Sequence, residues 1–310
     1  MQLKPGHLLS YSSGSHNRGP YGFRTLRKGR SFMPVVHQRW PRLLQGLEGR
    51  TPIVINGYPA SIGTFDDAVL VETFLSHATA SRALHLAELE KMPVLLLGQP
   101  LYIADLLYKH LAKNPVLPDT LVIGVGGYVM PQSLERALVD LCRPHCEFIG
   151  LLHGYGVAEV DAGCMVAVDR TPKGELIYYP RDDVRVGIEG ERLLLSLSDG
   201  VGGWLVEQFD SEDSGRPEGD GYVIWNNDRL HPHVLKIMES WSARDWSRRT
   251  GYLYFGRELR FQLRKHVEPE SALEAEYYEY GKRYGQDWLF KPVWSRAKDS
   301  GSTVLRRTIL

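Results

Sequence analysis

The feature that most constrains the fold is the alternation of short apolar runs with longer amphipathic segments. Residues 94–97, 121–125 and 147–152 are largely apolar runs of strand length, which is typical of strands buried on both faces. Between them, residues 102–112 and 131–141 carry apolar side chains at helical spacing. Repeated strand–helix–strand units predict an α/β fold with a parallel-sheet core layered with helices.

The pattern changes on either side of this region. A helix is predicted over residues 66–78, with Asp66 as its N-cap. After about residue 170, short β-rich segments alternate with Gly, Pro and Asp turns, which predicts an antiparallel meander or small barrel. The strands of this β-rich subdomain are expected in residues 173–179, 184–188, 191–197 and 204–209.

The last third of the chain predicts a smaller unit. The acidic, glycine-rich segment 210–221 predicts a loop that acts as a hinge or boundary. Beyond it, a strand pair within 252–264 and a charged helix over 270–282 predict a small α+β C-terminal lobe. We therefore expect a core over residues 1–227 followed by a lobe over residues 228–310.

Composition narrows the classes of partner. The 37 Lys and Arg residues balance 37 Asp and Glu residues, whereas a general nucleic-acid binder needs a basic excess. No apolar run approaches the roughly 20 residues that span a bilayer, and the N-terminus lacks the apolar core of a signal peptide. With only 3 cysteines, the chain suits a reducing cytoplasm. We expect a cytoplasmic protein without a nucleic-acid or membrane partner.

Glycines and hydroxyl side chains are concentrated near the N-terminus, in residues 11–22. Ser12, Ser13, Gly14 and Ser15 form the centre of this segment. A tight loop of this composition can present backbone N–H groups and hydroxyls to phosphate oxygens. It is not a Walker A loop, because the Gly-Lys-Ser/Thr ending is absent. Composition alone equally allows an ordinary surface loop.

Four further segments follow in a fixed order. The pair Gly126-Gly127 comes directly after a predicted strand, and HGYGVAE (153–159) comes after the next one. Asp213 lies in the acidic segment, and SGSTVLRR occupies residues 300–307. In this order, the five segments together resemble the motifs of the adenylate-forming superfamily, which includes acyl- and aryl-CoA synthetases, luciferase and peptide-synthetase adenylation domains. The compact layout resembles most the branch of phenylacetate-CoA ligase and acyl-protein synthetases.

The resemblance implies a site for ATP. The β- and γ-phosphates would lie in the serine–glycine loop of residues 12–15, and Gly126 and Gly127 would form a turn beside the adenine. Tyr155, followed by Gly156, would stack on the adenine. Each of these positions also has a purely structural interpretation, as a turn or a core aromatic residue.

The remaining implied roles concern the ribose, the metal and the reacting phosphate. Asp213 would accept hydrogen bonds from the ribose hydroxyls, and Arg229 would lie beside the ribose, with Arg257 as the alternative. Glu159 would hold Mg²⁺, a hard cation that prefers carboxylate oxygens, and would thereby act in catalysis. Arg306 would serve as the catalytic cation near the C-terminus.

Three departures from the family pattern qualify this interpretation. The phosphate loop begins ten residues after Met1, so the usual N-terminal segment is expected to come from a protein partner or a second copy of the chain. The phosphate-loop lysine is replaced by Tyr21. The closing-motif lysine is replaced by Ser302-Thr303, leaving Arg306 or Lys298 as the nearest cation, and Arg does not reproduce the geometry of Lys.

The implied reaction is ATP-dependent activation of a small carboxylic acid as an acyl-adenylate, followed by transfer to CoA, a carrier protein or an amine. The acid pocket would be lined by residues 55–65, the Gly-Gly turn and residues 151–156. Tyr58, Tyr128 and His153 in this wall would suit a polar or aromatic acid. Two alternatives stay open: a catalytically degenerate relative that binds a nucleotide or acyl group as a partner subunit or scaffold, and an α/β protein of unrelated role.

Overall fold

One mixed sheet of eleven strands dominates the computed structural model. The structure describes residues 8–11, 23–26, 32–47, 49–58, 61–62, 68–157, 159–225, 232–254, 272–273, 295–296 and 305–306. The strands are β1 (Leu8–Tyr11), β2 (Phe23–Leu26), β3 (Ile53–Asn56), β4 (Val69–Glu72), β5 (Val94–Gly98), β6 (Thr120–Val125), β7 (Phe148–Val157), β8 (Asp161–Arg170), β9 (Leu176–Pro180), β10 (Val184–Glu189), β11 (Arg192–Ser198), β12 (Trp204–Glu218), β13 (Gly221–Trp225), β14 (Ser295–Arg296) and β15 (Leu305–Arg306). The helices are α1 (Met33–Arg39), α2 (Pro41–Leu44), α3 (His77–Leu89), α4 (Pro100–Lys113), α5 (Gln132–Cys142), α6 (Pro232–Glu239) and α7 (Ala243–Tyr254).

The first half of the large sheet is parallel. Its strands lie side by side in the order β4-β3-β5-β6-β7, and every neighbouring pair runs in the same direction. The predicted parallel sheet is therefore confirmed, as are the strands expected at 94–97, 121–125 and 147–152 and the helices that separate them. The chain reverses direction across the sheet at β3, which has β4 on one side and β5 on the other.

Helices pack on the two faces of these strands. Leu121 and Ile123 of β6 belong to a buried cluster with residues of α3, α4 and α5. Val122, which points to the opposite face because side chains alternate along a strand, packs in a second cluster with Val36 of α1. The wholly apolar sequence of β6 follows from this burial on both faces.

The second half of the sheet is antiparallel and continues from β7 in the order β8-β9-β13-β12-β11-β10. The strands predicted at 173–179, 184–188, 191–197 and 204–209 are present as β9 to β12, and they join the same sheet as the parallel strands.

This half of the sheet is strongly curled. Tyr155 of β7 and Asp213 of β12 are four strand spacings apart in the ladder, or about 19 Å in a flat sheet. Their side chains are nevertheless joined by a 2.7 Å hydrogen bond. The strands therefore bend around a buried cluster that includes Tyr155, Met165 and Leu195.

The helix predicted over 66–78 is wrong for most of its length. Val69–Glu72 form β4, which pairs in parallel register with β3, and the helix α3 begins only at His77. Ser76 is its N-cap, since the side chain accepts a hydrogen bond from the backbone N–H of Thr79. Asp66 lies outside the described residues.

Two further predictions are corrected. The segment 210–221 is not a loop, because β12 extends to Glu218 and forms a hairpin with β13 around Gly219, whose φ is 62°. The strand pair expected within 252–264 is wrong for residues 252–254, which end α7. The rest of that pair, and the helix predicted at 270–282 apart from residues 272–273, lie outside the described residues.

Helices α6 and α7 are attached to the start of α5. Trp246 is fully buried, and its indole N–H donates a hydrogen bond of 3.0 Å to the Ser133 hydroxyl. The backbone N–H groups of Gln132 and Ser133 donate to the Glu239 carboxylate at 2.7 and 3.0 Å, which suits the positive end of the helix dipole. Met238 also joins the main core. The predicted domain boundary between 227 and 228 stays a prediction.

No described helix combines the length and the hydropathy needed to cross a membrane.

Candidate functional site

The Gly126-Gly127 turn follows β6 at the carboxyl edge of the parallel strands, next to the ends of the neighbouring strands β5 and β7. The Gly126 N–H donates to the carbonyl of Gly98 at 3.2 Å. A Cβ on Gly126 would lie 2.7 Å from the Tyr58 hydroxyl oxygen and 3.0 Å from the Gly154 carbonyl oxygen, so only glycine fits. Gly127 has a φ of 94°, a conformation that glycine adopts without strain. The turn is thus fixed tightly against its neighbours.

A polar network holds Tyr58 against this turn. Its backbone N–H donates to Asn56 Oδ1 at 2.9 Å, and the Asn56 amide donates to Glu72 at 2.6 Å. The Ser61 hydroxyl donates to the other Glu72 oxygen at 2.7 Å. Burial raises the pKa of Tyr58 above its ordinary value, so the hydroxyl stays protonated at neutral pH.

This edge of the sheet is a favoured position for ligands. In open α/β sheets, ligands bind beyond the carboxyl ends of the strands, next to the point where the strand order reverses. Here that point lies between β3 and β5, and Asn56 is fully buried at the end of β3. The predicted pocket wall, residues 55–65, contains Asn56 and Tyr58 but not Glu72. The signal for Asn56 was a polar residue that ends the apolar run IVIN.

Tyr155 and Asp213, which are far apart in sequence, are directly bonded. The Tyr155 ring is 5% exposed, and its hydroxyl donates to Asp213 Oδ2 at 2.7 Å. Burial, followed by the nearby Asp213 charge, raises the pKa of Tyr155. The Asp213 backbone N–H donates to the Ser211 hydroxyl oxygen at 3.2 Å, and that hydroxyl donates to the Leu193 carbonyl at 2.9 Å.

Glu159 lies in the short turn between β7 and β8. The Val160 N–H donates to the Val157 carbonyl at 2.9 Å and closes this turn. Directly after it, Asp161 accepts a 2.8 Å hydrogen bond from Arg181, which is 4% exposed. The turn is therefore attached to a buried cation. Gly156, the residue after Tyr155, is exposed on β7.

The turn residue Glu159 carries a carboxylate, the type of ligand that Mg²⁺, the metal implied by the resemblance, prefers. Its side chain is partly exposed. Mg²⁺ keeps several waters and needs only one or two protein carboxylates together with phosphate oxygens. Within the described ranges, no group of three or more His, Cys, Asp and Glu side chains could hold a metal ion by itself. A carboxylate at this position could supply one oxygen ligand to a hydrated cation that also contacts phosphate oxygens.

A partly buried cluster of ionisable side chains lies near the Gly-Gly turn. His153 is 3% exposed, and its Nε2 lies 3.5 Å from Glu135 Oε2, which also contacts the Arg170 guanidinium. Burial lowers the pKa of His153. Burial alone would raise the pKa of Glu135, but the hydrogen bond with His153 and the Arg170 charge hold it at about 2. Because the lowered pKa leaves the His153 ring neutral at neutral pH, Arg170 is the cation of the ion pair with Glu135.

Apart from Tyr128, the other predicted site residues lie beyond the described side chains. The predicted phosphate loop, with Ser12, Ser13, Gly14 and Ser15, connects the antiparallel strands β1 and β2, but its own residues are outside the described ranges. The same holds for Arg229. Arg306 is described only as backbone, in β15 opposite Ser295. Tyr128, the remaining wall residue, accepts a 3.0 Å hydrogen bond from a backbone N–H of α4.

No protein-family profile and no curated protein sequence matches this chain. Among solved structures, an acyl-CoA synthetase (AMP-forming)/AMP-acid ligase II-like protein from Dyadobacter fermentans is similar, with 14% identity and a TM-score of 0.45 over 71% of this chain and 59% of its own. A long-chain-fatty-acid-CoA ligase from Archaeoglobus fulgidus has 11% identity and a TM-score of 0.44 over 67% of this chain and 50% of its own.

The anthranilate CoA ligase AuaEII, in complex with anthranoyl-AMP, has 14% identity and a TM-score of 0.47 over 75% of this chain and 51% of its own. All three proteins are named as acyl-CoA synthetases or CoA ligases. This chain covers less than two thirds of the length of each. Similarity at these TM-scores and identities establishes neither a family nor an activity for this chain.

Proposed function

We propose that this chain activates a small carboxylic acid as an acyl-adenylate at the expense of ATP and transfers the acyl group to a thiol or an amine. The observation that carries the proposal is the proximity of separate motif segments. The Gly126 turn adjoins Gly154 of β7, and the next residue, Tyr155, is bonded to Asp213 of β12. Three of the segments on which the resemblance rests thus adjoin one another, and we propose that they line one ligand-binding surface.

The chemistry assigned to this surface is mainly positioning and charge neutralisation. Asp213 would bind the ribose hydroxyls, and the Gly126-Gly127 turn would lie beside the adenine. An oxygen of the acid would attack the α-phosphorus of ATP, with pyrophosphate as the leaving group. Mg²⁺ held by Glu159 would neutralise phosphate charge during this step. Arg306 would supply a further cation in place of the missing lysine.

The finer parts of the proposal rest on the sequence. We place the chain nearest the phenylacetate-CoA ligase and acyl-protein synthetase branch, in the cytoplasm. CoA, a carrier protein or an amine would be the acceptor. A protein partner or a second copy of the chain would complete the site. Tyr58, held by Asn56 and Glu72, supports an acid that carries a polar or aromatic group.

The proposal predicts acyl-AMP as a product. Mass spectrometry after incubation of the full chain with ATP, Mg²⁺ and a mixture of acids is expected to detect it, together with released pyrophosphate. Asp213→Ala and Glu159→Ala should each reduce product formation by at least about 100-fold, since each removes a contact to the nucleotide or its metal. Glu189→Ala, an exposed carboxylate on the edge strand β10, is the matched control and should react like the unsubstituted chain. Product formation by both site variants at the control rate would refute the site.

The second candidate is a catalytically degenerate relative that binds a nucleotide or acyl group as a partner subunit or scaffold. The replacement of the closing-motif lysine by Ser302-Thr303 favours it, because a hydroxyl cannot supply the missing charge. In that case ATP should raise the unfolding temperature of the chain, because a ligand that binds the folded state stabilises it. No acyl-AMP would form with any acid. Loss of the thermal shift in Asp213→Ala would locate the binding site.

A further inference from the structure

We propose that the hydroxyl of Tyr155 positions the Asp213 carboxylate and thereby sets the preference of the site for a nucleotide with an intact ribose. The inference rests on the proposed function, in which Asp213 accepts hydrogen bonds from ribose hydroxyls. It assigns Tyr155 a role through its hydroxyl group rather than through its ring face. The direct evidence is the 2.7 Å hydrogen bond from Tyr155 Oη to Asp213 Oδ2.

The burial of the Tyr155 ring favours this role over base stacking. A nucleobase stacks on an exposed aromatic face, but this ring is only 5% exposed. It packs edge-on against Tyr178, with ring centroids 5.9 Å apart, inside the cluster around which the antiparallel strands curl. The ring thus fills the core, and its hydroxyl is the group that reaches the candidate site.

The local backbone also holds Asp213 in place. Its N–H donates to the Ser211 hydroxyl oxygen at 3.2 Å, and Ser211 in turn donates to the carbonyl of Leu193 on the neighbouring strand at 2.9 Å. The carboxylate is partly exposed, whereas Tyr155 behind it is buried. A hydrogen bond to an ionised acceptor is stronger than one between neutral groups. Asp213 is therefore preorganised, which reduces the cost of ordering it when a ligand binds.

Two nucleotides that differ only at the ribose test the inference. Calorimetric titration of the full chain with the Mg²⁺ complexes of ATP and 2′,3′-dideoxy-ATP gives the ratio of their dissociation constants. We expect the unsubstituted chain to prefer ATP. Tyr155→Phe, which keeps the ring and removes the hydroxyl, should reduce this preference by about tenfold, as expected for loss of a hydrogen bond to a charged group. Asp213→Ala should abolish the preference.

Tyr222→Phe is the matched control. It removes the same group from another tyrosine packed against the same cluster, and Tyr222 pairs with Pro217 on β12, four residues beyond Asp213. This variant should keep the preference of the unsubstituted chain. Because both nucleotides are compared on one protein sample, the ratio does not depend on the fraction of each variant that is folded.

The possible outcomes separate the inference from the proposed function. A preference in Tyr155→Phe within twofold of the unsubstituted value would overturn the inference, as would equal weakening of both nucleotides, which indicates a role in stacking or in folding alone. If the unsubstituted chain binds neither nucleotide, the proposed function fails, and the inference fails with it, before any variant is compared.

Discussion

At the level of single residues, two ionisable side chains beside the candidate site make the stability of the folded chain depend on pH. Burial lowers the pKa of His153, and the pKa of Glu135 lies at about 2 because its hydrogen bond with His153 and the charge of Arg170 outweigh burial, which alone would raise it. The unfolded chain protonates these groups near their ordinary pKa values, about 6.5 and 4.3. At acidic pH the unfolded state therefore binds more protons than the folded state, and stability falls as the pH falls.

The histidine part of this effect can be isolated. As the pH falls from about 7 to 5, the free energy of unfolding should decrease, because the pKa of His153 is lower in the folded chain and the unfolded chain therefore takes up more of a proton there. His153→Gln should make this decrease smaller, whereas His37→Gln, at an exposed position of α1, should leave it unchanged. Urea unfolding at several pH values measures both slopes. Equal slopes in the two variants would show that His153 does not contribute.

At the level of elements, the connection from β4 to α3 contains two consecutive residues in the left-handed region. Phe74 and Leu75 have φ values of 47° and 64°, and the Ser76 N–H donates to the Thr73 carbonyl at 2.8 Å across them. Turns of this kind favour Asn and Gly, which adopt positive φ at little cost. Leu75 is buried, and Phe74 is 51% exposed. The turn thus holds a strained backbone conformation at Phe74, a residue whose side chain is largely exposed.

Replacement of Phe74 should release this strain. Phe74→Asn is expected to raise the free energy of unfolding by about 0.5–1 kcal/mol, because Asn tolerates the left-handed conformation better than an aromatic residue. Leu86→Asn, at a similarly exposed position of α3, lacks this benefit and should destabilise slightly. Chemical denaturation of the two variants gives the comparison. A loss of stability in Phe74→Asn would mean that its side-chain contacts outweigh the strain.

Most elements whose secondary structure follows from local sequence pattern were predicted correctly. The predictions failed where strand pairing between distant segments sets the secondary structure. The apolar runs of β5 and β6 and the Gly126-Gly127 turn were read correctly because each signal is local. The spacing in 66–78 also fits a helix, and only the pairing of Val69–Glu72 with β3 makes part of it a strand. Likewise, the acidic segment 210–221 is extended because β11 and β13 pair with it. The contact of Tyr155 with β12 depends on the curl of the whole sheet, which no local pattern encodes.

At the level of the whole molecule, Trp246 joins a late segment of the chain to the main core. The side chain is fully buried in the cluster formed by α3, α4 and α5. Trp246→Ala should therefore lower the free energy of unfolding by about 3–5 kcal/mol, since it leaves a large cavity and removes a hydrogen-bond donor from Ser133. Thermal and urea unfolding measure the loss.

A second tryptophan provides the control for this prediction. Trp204, at the start of β12, is 40% exposed. Trp204→Ala should change the free energy of unfolding by less than about 1 kcal/mol, as is usual for surface positions. If both variants lost similar stability, the burial of Trp246 would not be the cause, and the attachment of α6 and α7 to the core would be in doubt.

The position of β7 has a consequence for the chain during its synthesis. All parallel strands of the large sheet precede β8 in sequence, and the strands of that sheet that pair only in antiparallel fashion all follow β7. While the chain is still on the ribosome, the parallel half can assemble first, with the ten-residue edge of β7 unpaired. Such an edge is a template for pairing with other nascent chains until β8 covers it. The core beside it also stays incomplete until Trp246, about 90 residues later, has left the exit tunnel.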